Sequence, residues 1–295
     1  VQAIMSVTVL GILSLLLAPI SLLSGAAVAL VTLRHGAKEG MFVVIASWFA
    51  SSLLSYLLLG DALVAAVFAL LLWAPTWLLG ELLRTSRSLA LTIQAALLLL
   101  LVVVGVFYVV IPEPSAYWQG LLKEPLQVLL QNSEVSTTAE EFDSILQSIT
   151  QWMTALLAAG FFLQSLLALF VARWWQAVLY NPGGFQREFH HLRMHRAVAV
   201  ITLGVMLLRW LGVVGGFWDY AAILLLAAWF LQGLALAHGA LHLMGAKTGW
   251  LVGLYLLLVF ALPHAVLALA SAGFADGWID FRARLRAGKP PEQTG

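Results

Sequence analysis

The polar residues best suited to chemistry lie in the last third of the chain, within stretches that are otherwise apolar. His238 and His242 are four residues apart and therefore share one face of a helix, where they could bind a metal or relay a proton. No glutamate lies between them in the metalloprotease pattern, so we expect no metal, and histidines that bond to water or backbone carbonyls are the simpler interpretation. The residues proposed for a ligand or proton pathway are Arg209, Gln232, His238, His242 and His264.

The composition places these residues in a membrane protein. Of the 295 residues, 62% are hydrophobic and only 10% are charged, and the mean hydropathy is +0.97. A soluble domain has about 25% charged residues, so lipid must be the solvent for most of this surface. The net charge of +1 gives no reason to expect a nucleic-acid partner, and the absence of cysteine excludes disulfides and thiol catalysis.

Continuous apolar runs without strand-like alternation predict an all-α fold, a polytopic transmembrane bundle of eight or nine helices in a single integral membrane domain over residues 1–295. Residues 1–33 form either one long helix kinked at Pro19 or, as we prefer, a hairpin of two short helices that meet at Ala18-Pro19. The other expected spans are 41–59, 62–80, 89–111, 149–176, 197–215, 219–237 and 249–271.

Lysine and arginine in short loops predict the orientation of such a bundle, because they are enriched on the cytoplasmic side. We therefore expect a multi-pass membrane protein with a basic cytoplasmic elbow at 181–196. The acidic, amphipathic loop at 112–148 should be external. The other basic residues expected inside are Arg34, Lys38, Arg84 and Arg87.

The polar tail at 276–295 does not fit this alternation. Three spans after the elbow would place its arginines outside, against the charge rule. Either one of these segments does not cross fully, with 197–215 the suspect because it contains Arg209, or the tail is an exception. We prefer a cytoplasmic tail.

Two features of the external loop predict local structure. Thr137 with Glu140 and Thr138 with Glu141 have the spacing of capping boxes. One helix should therefore begin near Ala139 and continue to Tyr180, where Asn181-Pro182-Gly183-Gly184 ends it. Upstream, leucines at 121–130 around Pro125 predict a short amphipathic segment on the outer surface, either an interfacial anchor or a lid.

Small residues recur every four positions at Ser21, Gly25 and Ala29, and again at Ser47, Ser51 and Ser55. Such a stripe lets two helices approach closely in lipid. Ordinary packing within the chain is one interpretation of the first stripe. A docking face for a membrane protein partner is the other.

The elbow is the most distinctive stretch of the sequence. Phe185, Phe189 and Leu192 fall on one helical face, which leaves the basic side chains free to meet the phosphates of anionic lipid headgroups. A contact with a cytoplasmic partner is the alternative. The elbow residues proposed for lipid or partner contact are Phe185, Arg187, Phe189, Arg193 and Arg196.

Several short motifs together resemble the YybS-like bacterial membrane proteins, a family of unknown function. They are Ser24-Gly25-Ala26, Leu33-Arg34-His35-Gly36, Asn181-Pro182-Gly183-Gly184-Phe185 with Phe189 and Leu192-Arg193, and Asp276 with Asp280-Phe281-Arg282. More distantly, the chain is similar to the substrate-capture subunits of energy-coupling-factor vitamin transporters. That likeness implies that Ser21, Gly25 and Ala29 pack against a transmembrane coupling partner.

Two functions remain open from the sequence. The first is a substrate-binding or transport component for a small molecule whose identity is unknown. The alternative is a structural membrane partner or scaffold of an envelope or division assembly. Because no nucleophile with a base, no paired carboxylates and no glycine-rich phosphate loop is visible, we expect no enzyme, no catalytic residue and no cofactor.

Overall fold

The computed structural model describes residues 2–13, 18–132 and 138–287, and within these ranges all regular structure is helical. The helices are α1 (Gln2–Leu13), α2 (Ala18–His35), α3 (Ala37–Leu59), α4 (Leu63–Ser86), α5 (Leu89–Val110), α6 (Pro114–Gln131), α7 (Ala139–Tyr180), α8 (Gly184–His190), α9 (Arg196–Trp210), α10 (Phe217–Leu243), α11 (Gly249–Phe260), α12 (Leu262–Trp278) and α13 (Phe281–Ala287). The all-α prediction is confirmed. The expected count of eight or nine helices is wrong, because these ranges contain thirteen.

Four described helices are long and apolar enough to cross a membrane by length and composition. They are Ala37–Leu58, Leu89–Val110, Ala139–Tyr180 and Phe217–Leu243. The apolar helices Gln2–Gly11, Ile20–His35 and Gly249–Phe260 are shorter. Large apolar side chains are exposed on many helices, including Val109, Trp210 and Phe260 at 79%, 81% and 84%. This surface fits a lipid environment better than water.

The chain divides into two compact units. Unit 1 comprises residues 1–96, 163–199 and 228–295, and unit 2 comprises residues 97–162 and 200–227. Helices α5, α7, α9 and α10 each contribute residues to both units.

The first four helices form one apolar core of unit 1. Val7, Val28, Val43 and the pair Leu72 and Trp73 come from α1, α2, α3 and α4 in turn, and all are buried. The Ser24 hydroxyl of α2 donates to the Val7 carbonyl of α1 at 2.9 Å, and the Trp73 indole donates to Ser24 Oγ at 2.9 Å. Two separate helices packed in this way agree with the hairpin expected for residues 1–33, although its junction at 14–17 lies outside the described residues.

Unit 2 contains the segment that was expected to be an external loop. Its helix α6 carries Trp118, whose indole donates to Thr154 Oγ1 of α7 at 2.8 Å. The first turn of α7 has the predicted capping box, in which Thr138 N donates to Glu141 Oε2 at 2.9 Å and Glu141 N donates to Thr138 Oγ1 at 3.3 Å. The predicted helix from Ala139 to Tyr180 is confirmed. The second expected box includes Thr137, which lies outside the described residues.

The expectation of one span over 249–271 is wrong. Helix α11 ends at Phe260, Ala261 adopts φ −129° and ψ 41°, and α12 begins with Leu262 and Pro263. Pro263 has no amide hydrogen to bond the Val259 carbonyl four residues earlier, and its ring clashes with that carbonyl in a continuous helix. The separate pieces of 12 and 17 residues are about 18 and 25 Å long, each shorter than the roughly 30 Å hydrocarbon layer.

The chain after α10 returns to the neighbourhood of His242, near the end of α10. Lys247 and Thr248, just before α11, line a cavity together with His242 at the end of α10. Arg282 of α13 lines a second cavity with the same His242. The chain therefore leaves the neighbourhood of His242 through α11 and comes back to it in α13; we call α11 and α12 the returning hairpin.

Candidate functional site

The elbow, which belongs to unit 1, is packed against other helices of that unit. After α7 ends, Gly183 adopts the left-handed conformation with φ 76° and leads into the short helix α8. The rings of Phe185 and Phe189 both lie 5.8 Å from that of Phe170 in α7. Arg173 of α7 pairs with Glu188 through both carboxylate oxygens. These contacts direct the aromatic face of the elbow toward α7.

A buried polar network attaches the next part of the elbow to the C-terminal helices. Gln232 of α10 is fully buried; its Oε1 accepts from Met194 N at 2.8 Å, and its Nε2 donates to the Gly273 carbonyl at 2.9 Å. Arg282, 4% exposed, pairs with the fully buried Asp276. Buried polar groups are stable only when they are bonded in this way. The network therefore fixes residues 190–194 against α10, α12 and α13.

Arg282 also bonds the elbow directly. Its Nη1 donates to the His190 carbonyl at 2.7 Å, and its Nη2 donates to the Leu192 carbonyl at 2.8 Å. His190 is the last residue of α8 and Leu192 follows it, so no further helical turn supplies an amide donor to either carbonyl. The guanidinium thus replaces the missing helical hydrogen bonds.

Three histidines meet at one end of unit 1. The ring of His190 in α8 lies 5.0 Å from that of His242 and 6.5 Å from that of His238, both in α10. His238 Nδ1 is 2.9 Å from the Leu234 carbonyl, and its Nε2 is 3.2 Å from the Tyr255 hydroxyl. Because a carbonyl only accepts, Nδ1 donates to Leu234, and Nε2 bonds the Tyr255 hydroxyl.

These histidines border a cavity of about 460 Å³, which we call the histidine pocket. Its walls are mainly apolar and include Phe170, Phe185, Phe189 and leucines of α7 and α10. Its polar groups are Gln186, His190, His238, His242, Lys247, Thr248 and Tyr255. The combination of apolar walls with a few grouped polar side chains is typical of small-molecule sites.

The surroundings of His190 oppose its protonation. Burial is the largest cause, followed by the positive charge that His242, His238, His191 and Arg282 carry or can acquire; together they lower the pKa of His190 to about 4. His190 is therefore a neutral ring at pH 7, able to donate one hydrogen bond and accept another.

Two further cavities lie within single units. The first, of about 410 Å³, lies beside the histidine pocket between α8, α10 and α13 and shares Gln186, His190 and His242 with it. The second, of about 440 Å³ in unit 2, lies between α6 and the start of α7 and is lined by Lys123, Gln127 and Asp143 among others. It lies beside the amphipathic segment that was interpreted as an anchor or a lid.

The residues proposed for one ligand or proton pathway fall in different surroundings. His238 and His242 line the histidine pocket, whereas Gln232 belongs to the buried network. Arg209 pairs with Asp219 within unit 2. His264, near the start of α12, is exposed and does not line the described cavities. Among the described residues, no group of three or more histidine, cysteine or acidic side chains is arranged to bind a metal.

The small-residue stripe of α2 faces neighbouring helices of unit 1. Ser21 is buried and accepts from Gln164 Nε2 of α7 at 2.8 Å. A Cβ at Gly25 would lie 3.2 Å from both Ala168 Cβ and Thr76 Cγ2. Ala29 is fully buried. Packing within the chain therefore accounts for the stripe.

The arginines proposed for lipid or partner contact differ in their surroundings. Arg193 Nη1 donates to Asp280 Oδ2 at 2.7 Å, which ties the elbow to the residue before α13. Arg187 is exposed and donates to Asn181 Oδ1 at 3.2 Å. Arg196, at the start of α9, is exposed.

Sequence reasoning did not assign His190, Asp276 or Arg282 to a site. Asp276 and Arg282 could have been suspected because carboxylate and guanidinium groups beside an apolar helix need partners. His190 carried no signal of its own, since its neighbours in the pocket lie about 50 residues further along the chain.

Long apolar helices and an extensively apolar surface define the class as an all-helical membrane-type protein. Within that class, the chain belongs to the family described as Predicted membrane protein (DUF2232), whose model matches residues 3–277. No curated protein and no solved structure matches the chain.

Proposed function

We propose that this protein is a multi-pass component of the bacterial cytoplasmic (inner) membrane that binds a small molecule for transport or capture. The observation that carries the proposal is the histidine pocket. Its volume of about 460 Å³ falls within the range of roughly 300–1,000 Å³ that is usual for small-molecule sites. His190 and His242 can offer hydrogen bonds to a ligand, His238 holds the Tyr255 hydroxyl beside them, and aromatic rings and leucines form the apolar walls. The role involves no catalytic step.

The returning hairpin of α11 and α12 supports the same proposal. Broken helices occur at membrane depth where they line a cavity, and in many transporters they form the substrate site. Here Lys247, Thr248 and Tyr255, from the start and middle of this segment, line the histidine pocket. A movement of α11 would therefore change the size of the pocket.

The resemblance to YybS-like proteins and to energy-coupling-factor capture subunits belongs to this proposal. It implies a second membrane protein that couples capture to transport. Because Ser21, Gly25 and Ala29 are buried inside unit 1, such a partner would contact other apolar surfaces of the chain.

The test is to purify the protein in mild detergent and to identify co-eluting small molecules and proteins by mass spectrometry. His238→Phe fills the pocket and removes its hydrogen bond to Tyr255, whereas His264→Phe makes the same change at an exposed position outside the cavity. We expect a small molecule with the parent and with His264→Phe, and a strongly reduced amount with His238→Phe. Equal amounts in both variants, or an empty parent protein, would overturn the proposal.

A structural partner or scaffold in an envelope or division assembly is the second candidate. It is favoured by the exposure of Arg187 and Arg196 on the elbow. A photo-crosslinking residue at Arg196 should then capture one defined protein in cells. Capture of lipid alone would count against the scaffold function.

A further inference from the structure

The cavity of about 410 Å³ between α8, α10 and α13 has an unusual charge, and we call it the basic cavity. Its ionisable lining residues are Arg187, His190, His191, His242, Arg282 and Arg286. No aspartate or glutamate is among the described residues that line it. The basic groups lie in α8, α10 and α13, with His191 directly after α8, so the fold is what brings them together.

The charge of Arg282 is already compensated, because its guanidinium pairs with Asp276 and donates to two buried carbonyls. Arg187 and Arg286 are different. Arg187 has a neutral hydrogen-bond partner, Asn181 Oδ1, and Arg286 is exposed without an ion-pair partner among the described residues. Two positive charges therefore border one cavity without a carboxylate between them.

Other arginines of the chain do have acidic partners. Arg173, Arg193 and Arg209 each pair with an acidic side chain. Two like charges that face the same confined space repel each other unless an anion lies between them. Among the described residues no acidic side chain supplies this counter-charge, and an anion bound in the basic cavity would supply it.

We propose that the basic cavity binds a phosphate group, either of a free anion or of an anionic lipid headgroup. The guanidinium is a planar fork of donors that matches phosphate oxygens, and Arg187 and Arg286 would supply two such forks. The ring of His242, which lines the same cavity, can add one N–H donor. This inference does not rest on the proposed small-molecule function, because the histidine pocket can be empty while the basic cavity is filled.

The test compares two double variants with the same change in charge. Arg187→Gln/Arg286→Gln removes both free guanidiniums of the cavity. Arg196→Gln/Arg284→Gln removes two exposed arginines, at the start of α9 and in α13, which do not line the cavity. Inorganic phosphate is titrated in detergent against chloride at matched ionic strength, and the thermal midpoint is measured. In parallel, each protein is placed in phosphatidylcholine nanodiscs with or without phosphatidylglycerol, and retained lipid is measured by native mass spectrometry.

A free-phosphate site would raise the thermal midpoint of the parent and of the control variant as phosphate is added. The apparent affinity for phosphate should then be about tenfold or more weaker in Arg187→Gln/Arg286→Gln. Selective retention of phosphatidylglycerol with the same pattern, and no phosphate effect, would establish a lipid-headgroup site. No effect of either probe, or equal losses in the two double variants, would overturn the proposal. Should Arg187→Gln impair folding, Arg286→Gln alone repeats the test, because Arg286 is exposed and unpaired among the described residues.

Discussion

Replacing Arg282 with methionine would test whether the buried network holds the elbow in place. Methionine keeps much of the length and apolar volume of the arginine stem but removes the guanidinium. Asp276, which is fully buried, then loses its cation, and the carbonyls of His190 and Leu192 lose their donors. Breaking a buried ion pair from one side costs about 3–5 kcal/mol. We therefore expect Arg282→Met to lower the free energy of unfolding by about that amount, a large part of the roughly 5–15 kcal/mol of a typical domain.

The assay is SDS titration in mixed micelles, followed by circular dichroism. Arg284→Met is the matched control, because Arg284 is exposed on the same helix and its loss should change stability by no more than about 0.5 kcal/mol. Adding Asp276→Asn to Arg282→Met replaces the buried carboxyl group that has lost its cation and should recover part of the loss. If Arg282→Met were as stable as Arg284→Met, the network would not be the attachment described above.

Two further perturbations probe helix packing and titration. Gly273→Ala places a Cβ against the Trp229 carbonyl and 2.5 Å from Gly233 N, so we expect the free energy of unfolding in the same titration to fall by about 1–3 kcal/mol. Gly253→Ala, the control, has open space around it and should be neutral or slightly stabilising. The pKa of His190 falls from its ordinary value of 6.5 to about 4 on folding. Between these pH values the unfolded chain binds more protons than the folded one. The free energy of unfolding should therefore fall as the pH drops from about 6.5 toward 4. Thermal midpoints measured across this range should decline less in His190→Gln, and parallel curves would refute the assignment.

The long helix α7 could be predicted from the sequence because its start and end are coded locally. The Thr138–Glu141 capping box satisfies amides within its own first turn, and the stop at Asn181-Pro182-Gly183-Gly184 needs only the backbone preferences of proline and glycine. Such signals do not depend on distant contacts. The helix therefore begins at Ala139 and ends at Tyr180, as the sequence predicts.

The site could be predicted only in part, because its contacts join distant parts of the chain. The helical spacing of His238 and His242 correctly places them on one face, but it gives no information about His190 of α8. Arg209 and His264 are near these residues in the sequence and outside their pocket in the structure. A polar residue in an apolar helix predicts that a partner exists, and the fold decides which partner it is.

The close contact between α10 and α12 was also missed. Gly273 and Gly277 have the four-residue spacing of small residues that allows close helix packing, a signal present in the sequence. The backbone of Gly233 in α10 lies directly against Gly273. This contact determines how α12 approaches Gln232, and hence the position of Asp276 in the buried network.

The break at Ala261 changes what the sequence predicts for the side of the C-terminal tail. Hydropathy alone makes 249–271 a continuous span, which would put the basic residues of α13 on the opposite side from the elbow. The structure instead brings α13 to the elbow, where Arg193 pairs with Asp280 and Arg282 bonds the His190 carbonyl. If unit 1 lies in a bilayer, the hairpin of α11 and α12 enters and leaves on one side, and the arginines of the elbow and tail share that side. The charge rule is then obeyed without an exception. Helix α9, which contains Arg209, has 15 residues and is about 22 Å long, so the alternative that 197–215 does not cross fully stays a prediction.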